Sequence, residues 1–183
     1  MTVKIETERL ILRSIKMDDA ERINFLCNDQ AVTSTTLRIP YPSALEDTKK
    51  FIETSENMDI EKGVVFTIIL KSAQEIIGVM GLGVEPAHEK GELGYWLGKE
   101  YWGRGYCTEA AKAVLEYGFN TLKLNRIYAN YMKGNEASGR IMQKIGMQYE
   151  GCLKEHVKKN GLFKDVECYG VLKKDYSKNG NSV

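Results

Sequence analysis

Histidine, proline and paired cysteine are scarce in this 183-residue sequence: two histidines, three prolines, and four cysteines with none at CxxC spacing. His88 and His156 lie far apart in the chain, and Cys27, Cys107, Cys152 and Cys168 are scattered. No metal site is therefore expected, and the cysteines are expected to be free thiols, as in a reducing compartment. Long apolar runs are missing too. None reaches the roughly 18 residues that cross a bilayer, and the stretch from Met1 to Leu12 alternates charged and apolar residues, unlike a secretory signal. A strong excess of one charge is also absent, the formal net charge being +1. Bulk charge gives no reason to expect a nucleic-acid or membrane partner. The expected location is the cytoplasm.

What is present is the balance of a folded protein: 43% apolar and 28% charged residues, with no repeat or low-complexity linker. A chain of this length buries a core without disulfide staples. We expect one domain over residues 1–176 and a frayed polar tail over 177–183. The first strand is Leu10–Arg13, in ERLILRS. Asp18 is placed as the N-cap of a helix carrying Ala20, Ile23 and Leu26 on one face. Beyond Pro40 and Pro42, Ser43 opens a second helix with Leu45, Thr48 and Ile52 at helical spacing. Val64–Leu70 and Ile76–Gly81 read as a hairpin turning at Ser72–Gln74. Gly91–Leu97 is a further strand. A loop, Trp102–Cys107, then leads into a helix from Thr108 to Leu122 with an apolar stripe of Ala110, Ala113, Val114, Tyr117 and Leu122. Arg126–Tyr131 is a strand, and Asn135 or Glu136 starts a short helix that ends at the C′ glycine Gly146. Met147–His156 and Val166–Leu172 close the chain around an Asn-Gly turn, with Lys158 and Lys159 read as solvated. The order is that of a mixed α/β chain.

The strand–loop–helix run GELGYWLGKEYWGRGYCTEAAKAVLEYGF carries the strongest local signal. Gly103 and Gly105 flank Arg104 directly before a helix start. A helix N-terminus offers unpaired N–H groups and partial positive charge, and glycines let a backbone come close to an anion. The combination makes a diphosphate cradle. Arg104 can add charge, and Thr108 can cap the helix or bond a phosphate oxygen. The Walker pattern GxxxxGK[ST] is absent, and a dinucleotide fingerprint would need a glycine where Thr108 stands. A tight strand-to-helix turn without a ligand remains the alternative for the loop taken alone.

The run EYWGRGYCTEA resembles the coenzyme-A loop of the GNAT N-acetyltransferase superfamily, [QR]-x-x-G-x-[GA], with Trp102 at the Gln/Arg place and Cys107 at the Gly/Ala place. Cys107 is expected to put a small side chain close to the cofactor. The resemblance extends along the chain through TERLILR, GELGYWLG, LNRIYANYMKGNEASGRIMQKIGM and YEGCLKEHVKKNGLFKDVECYGVLKKDY. These segments are similar to the branch of ribosomal-protein N-terminal (RimJ/RimL-like) acetyltransferases. The resemblance implies an α/β (α+β) GNAT fold: a twisted, mostly antiparallel mixed sheet flanked by helices. Its central strands, near Leu93–Leu97 and Ile127–Asn130, would splay apart to admit the pantetheine arm.

It also implies the co-substrate, acetyl-CoA without a metal, and the reaction, direct attack of an amine in a ternary complex. Trp96, Leu97 and Asn130 would line the pantetheine path; Gly103, Arg104, Gly105, Tyr106, Cys107 and Thr108 would hold the diphosphate. Asn135 and Ser138 match the family's N-x-x-S motif and share a helix face. Asn135 would contact the pantetheine arm, and Ser138 would donate to the leaving thiolate. Glu92 is the first choice as general base and Glu155 the second, with Tyr95 and His156 as possible assistants. Asp165 and Tyr169 would support the closing strands or shape the acceptor site. Acceptor specificity is expected from loops 33–43 and 156–164. The acceptor implied is a protein or peptide N-terminus, such as that of a ribosomal protein. A polyamine or antibiotic amine, and a non-catalytic coenzyme-A sensor, are the alternatives. The oligomeric state is open between monomer and homodimer.

Overall fold

The alternation in ERLILRS becomes strand β2, Leu10–Ser14, whose Leu10 and Leu12 are fully buried; a three-residue strand β1, Lys4–Glu6, pairs along its outer edge. The structure, a computed structural model, describes residues 3–179. The remaining strands are β3 (Gly63–Leu70), β4 (Glu75–Glu85), β5 (Lys90–Leu97), β6 (Arg126–Met132), β7 (Gln148–Lys159) and β8 (Leu162–Leu172). They form one sheet in the order β1-β2-β3-β4-β5-β6-β8-β7, antiparallel at every step except β5–β6.

Strand β3, GVVFTIIL, is apolar on both faces because helices cover both faces of the sheet. On one side lie α1 (Ala20–Cys27) and α3 (Leu45–Glu56), with the short α2 (Gln30–Thr35) between them in the chain; on the other lie α4 (Tyr106–Asn120) and α5 (Glu136–Lys144). Neighbouring residues of β4 divide between them. Val79 joins Ile23 and Ile52 beneath α1 and α3, while Met80 joins Val114 and Leu115 of α4. Helix α4 buries Ala110, Ala111, Val114, Leu115, Gly118 and Phe119, a stripe shifted by about one position from the expected one. Gly118 sits where a Cβ would lie 2.6 Å from Ile127 Cδ1. The overpacking avoided there, about 1–3 kcal/mol, exceeds the roughly 1 kcal/mol that glycine costs a helix.

Several local expectations need correction. Asp18 is not the cap of α1. A 3-10 turn, Met17–Asp19, comes first, and the neighbour Asp19 is drawn inward, where it accepts from Arg13 (2.6 and 2.8 Å), the Lys16 amide (2.9 Å) and Thr67 (2.8 Å). Ser43 does not open α3, which starts at Leu45; its amide instead donates to Asn28 Oδ1 at 3.2 Å. Helix α4 starts two residues before Thr108, because Gly105 at φ 80 turns the chain into the helix early. Three elements were not legible: β1, α2 and α6 (Lys173–Asn179). In α2 the Thr/Ser-rich sequence QAVTST is a poor helix former, held by Asp29 capping the Ala31 amide at 2.7 Å. The backbone of 177–179 completes α6, and the rest of the expected tail, 180–183, lies outside the described residues.

The Asn-Gly turn forms as expected, with Asn160 and Gly161 both at positive φ. Lys159 beside it is not solvated. Its ammonium donates to the carbonyls of Thr33 and Thr36 at the C-terminal end of α2, where a cation complements the helix dipole. That contact brings together segments 33–43 and 156–164, the two expected to shape an acceptor pocket.

Candidate active site

The parallel pairing of β5 with β6 holds for three residue pairs only: Lys90↔Arg126, Gly91↔Ile127 and Glu92↔Tyr128. Beyond them the strands part, leaving Leu93–Leu97 of β5 and Ala129–Met132 of β6 without each other. The opening thus begins after Tyr128, two residues later on β6 than expected. Strand backbone that has lost its partner still carries N–H and C=O groups that need one, so the gap is lined with groups suited to an amide-bearing chain.

The first turn of α5 is tied to both parted strands. From β5, the Tyr95 hydroxyl donates to the Ser138 carbonyl at 3.1 Å. From β6, the Tyr131 ring lies against Gly139, where a Cβ would meet the ring oxygen at 2.8 Å, and its hydroxyl donates to Glu136 at 3.3 Å. Asn135 stands at the N-cap position, where its carbonyl accepts the Ser138 amide at 3.0 Å but its side chain caps no helix amide. Its side-chain nitrogen donates to Ser138 Oγ at 2.9 Å, leaving the serine proton free to be donated onward. Tyr95 is not a base. Burial, with Cys107 and Tyr131 nearby, pushes its hydroxyl far above the ordinary tyrosine value, so it stays protonated. Its position near Cys107, Ser138 and Tyr131 links the start of α4 to the first turn of α5.

At the start of α4, Gly103 and Gly105 both adopt left-handed backbone, φ 75 and 80, which glycine takes without strain. A Cβ on Gly103 would meet nothing within 4 Å, so this glycine serves the turn and an open surface rather than packing. The first helical bond runs from the Glu109 amide to the Gly105 carbonyl at 3.0 Å, so the amides of Tyr106, Cys107 and Thr108 precede the ladder and are free to take an anion. Arg104 is exposed at the rim of a surface pocket that also involves Arg22, Glu100 and Tyr101. The Cys107 side chain does not enter the cradle. It points into the core, and burial pushes its thiol up to about 12. Trp102, at the Gln/Arg place of the loop, donates its indole N–H to the Leu97 carbonyl at 2.9 Å and fastens the loop to the end of β5.

The remaining residues fall elsewhere. Glu92 is exposed, and strand alternation sets it on the face of β5 opposite Tyr95, the face shared with Trp96. Asn130 is likewise exposed on β6, opposite in face to the buried Ala129 and Tyr131. Ser138 is therefore tied to the Tyr95 face of β5, while Glu92, in the last pair before the opening, lies on the opposite face. Glu155 sits at φ 48 in a bulge of β7, exposed like the adjacent His156, and neither hydrogen-bonds to the Asn135–Ser138 pair. Asp165 is structural: it accepts the Glu155 amide at 3.0 Å and Lys154 at 2.9 Å, holding that bulge. Tyr169 accepts from Gln143 at 3.3 Å, bracing α5. Among the described residues, no cluster of His, Cys, Asp or Glu is placed to hold a metal, and no helix is long and apolar enough to cross a membrane.

A mostly antiparallel sheet opened between two central strands, with a glycine-flanked helix start at one end of the opening, defines an acyl-CoA-dependent transferase fold. Comparison with known proteins agrees. Residues 9–148 match the family model for the acetyltransferase (GNAT) domain. The chain is 34% identical over 171 residues to the uncharacterized N-acetyltransferase YoaA of Bacillus subtilis (strain 168), covering 92% of this chain and 96% of that one. It is 25% identical to the ribosomal-protein-serine acetyltransferase of Escherichia coli (strain K12), over 93% and 96% of the two chains. The crystal structure of a GNAT-family acetyltransferase from Bacillus anthracis superposes with a TM-score of 0.84 at 30% identity, covering 94% and 99%. This chain belongs to the GNAT acetyltransferase family. It is an acetyl-CoA-dependent N-acetyltransferase.

Proposed function

We propose that the acceptor is the α-amine of a protein or peptide N-terminus, acetylated by direct attack on acetyl-CoA held between β5 and β6. In this reading the amides of Tyr106, Cys107 and Thr108 hold the diphosphate, with Gly103, Arg104 and Gly105 shaping the approach. The freed edges at Trp96, Leu97 and Asn130 pair with the pantetheine amides, and one such N–H supports the thioester oxygen. Ser138, its oxygen already accepting from Asn135, donates its proton to the departing sulfur. Glu92, on the opposite face of β5, takes the proton of the attacking amine directly or through water.

The observation that carries this reading is the separation of the two roles. Ser138 is held in a hydrogen-bonded turn, whereas the base candidate Glu92 stands exposed on the strand. An exposed base of this kind suits an amine with an appreciable neutral fraction near neutral pH rather than one almost wholly protonated. An α-amine titrates near ~7.8 and a lysine amine near ~10.4, so at neutral pH the first is easier to deprotonate by roughly 3.5 kcal/mol. The ribosomal-protein relative supports the same acceptor class. Loops 33–43 and 156–164, joined through Lys159, are assigned to the acceptor side.

The test is release of free thiol from acetyl-CoA with four acceptors: a peptide with a free N-terminus, the same peptide N-terminally blocked but carrying lysine, a polyamine and an aminoglycoside. The proposal expects turnover with the first and little with the second. Preferential turnover of the polyamine or the aminoglycoside would transfer the chain to small-molecule acetylation.

A further inference from the structure

The loop ahead of α4 is gripped from outside the strand–loop–helix unit by Arg9, at the entry to β2. Its Nη1 donates to the Arg104 carbonyl at 3.0 Å. Its guanidinium carbon stands 4.6 Å from the centre of the Tyr106 ring, and a Cβ on Gly105 would come within 3.5 Å of Nη2. One side chain thus touches three consecutive residues of the cradle. The same guanidinium donates from Nε to Glu109 Oε2 at 2.7 Å, while the Arg9 amide (2.8 Å) and the Thr7 hydroxyl (2.6 Å) bond Glu109 Oε1. Burial alone would raise the Glu109 carboxyl, but these bonds outweigh it and hold it below the usual glutamate value, so it is charged.

The charge poses a problem that the arrangement solves. A carboxylate in the first turn of a helix favours the helix dipole, but it opposes any second anion docking on the same amides. Glu109 is three residues past the first free amide. Unpaired, it would repel a diphosphate; bridged by Arg9, it becomes the anchor that holds Arg9 over the loop. Arg9 itself is 42% exposed, and an ion pair so placed adds little to global stability. Its geometry has to be explained by what it positions.

We propose that Arg9 is a positioning residue for the acetyl donor: it fixes residues 104–106 in the conformation that presents the α4 amides and cancels the Glu109 carboxylate beside them. The proposal rests on the reading that those amides hold the diphosphate of acetyl-CoA.

The experiment compares acetyl-CoA with S-acetylpantetheine, a donor that lacks the diphosphate, in the wild type, Arg9→Met, Arg9→Lys, Glu109→Gln and the double variant Arg9→Met/Glu109→Gln. Arg9→Met is expected to raise KM for acetyl-CoA about tenfold, with kcat and the acceptor KM held and S-acetylpantetheine kinetics unchanged. Adding Glu109→Gln recovers part of that loss, about threefold, which a purely structural role of Arg9 would not allow. Arg9→Lys keeps the charge but cannot bridge Glu109 and the Arg104 carbonyl together, so its KM falls between the two; it serves as the test should Arg9→Met not fold. An equal loss with both donors, or an unchanged KM for acetyl-CoA, overturns the proposal. If the wild type itself does not prefer acetyl-CoA to S-acetylpantetheine, the diphosphate reading fails and takes this proposal with it. If it does, and the Arg9 variants match it, only the role of Arg9 falls.

Discussion

Asn135 and Ser138 are joined side chain to side chain, Nδ2 to Oγ at 2.9 Å, across the first turn of α5. The bond matters for its direction. An amide nitrogen that donates occupies a lone pair of the hydroxyl and leaves its proton free to be donated elsewhere. The turn is in turn braced by Tyr95 and Tyr131, one from each parted strand. On the proposed reading, a thiolate departing through the opening between β5 and β6 would meet a donor already engaged by Asn135.

Ser138→Ala is therefore expected to lower kcat by about 10²-fold, the lower end of what a positioned acid supplies, with KM for acetyl-CoA nearly unchanged. Asn135→Ala removes only the orientation, worth about 1 kcal/mol or roughly fivefold. The double variant should be no worse than Ser138→Ala, since the two residues act as one unit. Steady-state kinetics with acetyl-CoA varied at saturating acceptor would check all three. An unaltered kcat in Ser138→Ala removes the serine from the mechanism.

The pH–rate profile tests the base. With an α-amine peptide, kcat/KM should rise toward the pKa of the amine, near ~7.8. Glu92→Gln should depress the acid side of that profile most, by up to about 10²-fold, and matter less at high pH, where the amine is neutral without help. A Glu92→Gln profile that superimposes on the wild type in shape and height excludes Glu92 and turns attention to Glu155 or to solvent.

Much of this site was legible because its signals are local. Gly103, Gly105, Asn135 and Ser138 lie at fixed spacings at helix starts, and spacing alone predicts shared faces and free amides. The parts that could not be read depend on partners distant in sequence. Arg9 meets Glu109 a hundred residues away, and Lys159 meets Thr33 after a longer detour; nothing in either neighbourhood announces the other. Asp18 looked like a cap because it stood before an apolar face, but Arg13 and Thr67 on the sheet draw its neighbour Asp19 inward. Cys107 shows the same limit. The motif suggests a side chain beside the cofactor, but packing against the core, which spacing does not reveal, turns the thiol inward. The six-residue α2 lies below the length at which periodicity speaks.

Asp19 provides a prediction about stability. It is 3% exposed. Burial alone would raise its carboxyl, but the bonds from Arg13, the Lys16 amide and Thr67 outweigh it and hold the carboxyl below the usual aspartate value. A carboxyl depressed on folding contributes stability that is complete above its unfolded pKa, about 3.9, and is lost as pH falls through the lower folded value. Asp19→Asn should cost about 2–4 kcal/mol near neutrality, discounted from a fully buried pair because the Arg13 side chain is 25% exposed. Denaturant unfolding of both proteins between about pH 7 and pH 2.5 would check this. The difference should be flat above about pH 5 and shrink below it. A difference that is small near neutrality would mean the pair contributes little.

The most direct test of the whole account is a crystal structure of the protein with coenzyme A. The account predicts the diphosphate on the amides of Tyr106, Cys107 and Thr108, the pantetheine arm between Leu93–Leu97 and Ala129–Met132, and the sulfur within hydrogen-bonding reach of Ser138 Oγ. Coenzyme A bound elsewhere, with the β5–β6 opening filled by side chains or closed by further strand pairing, would contradict it.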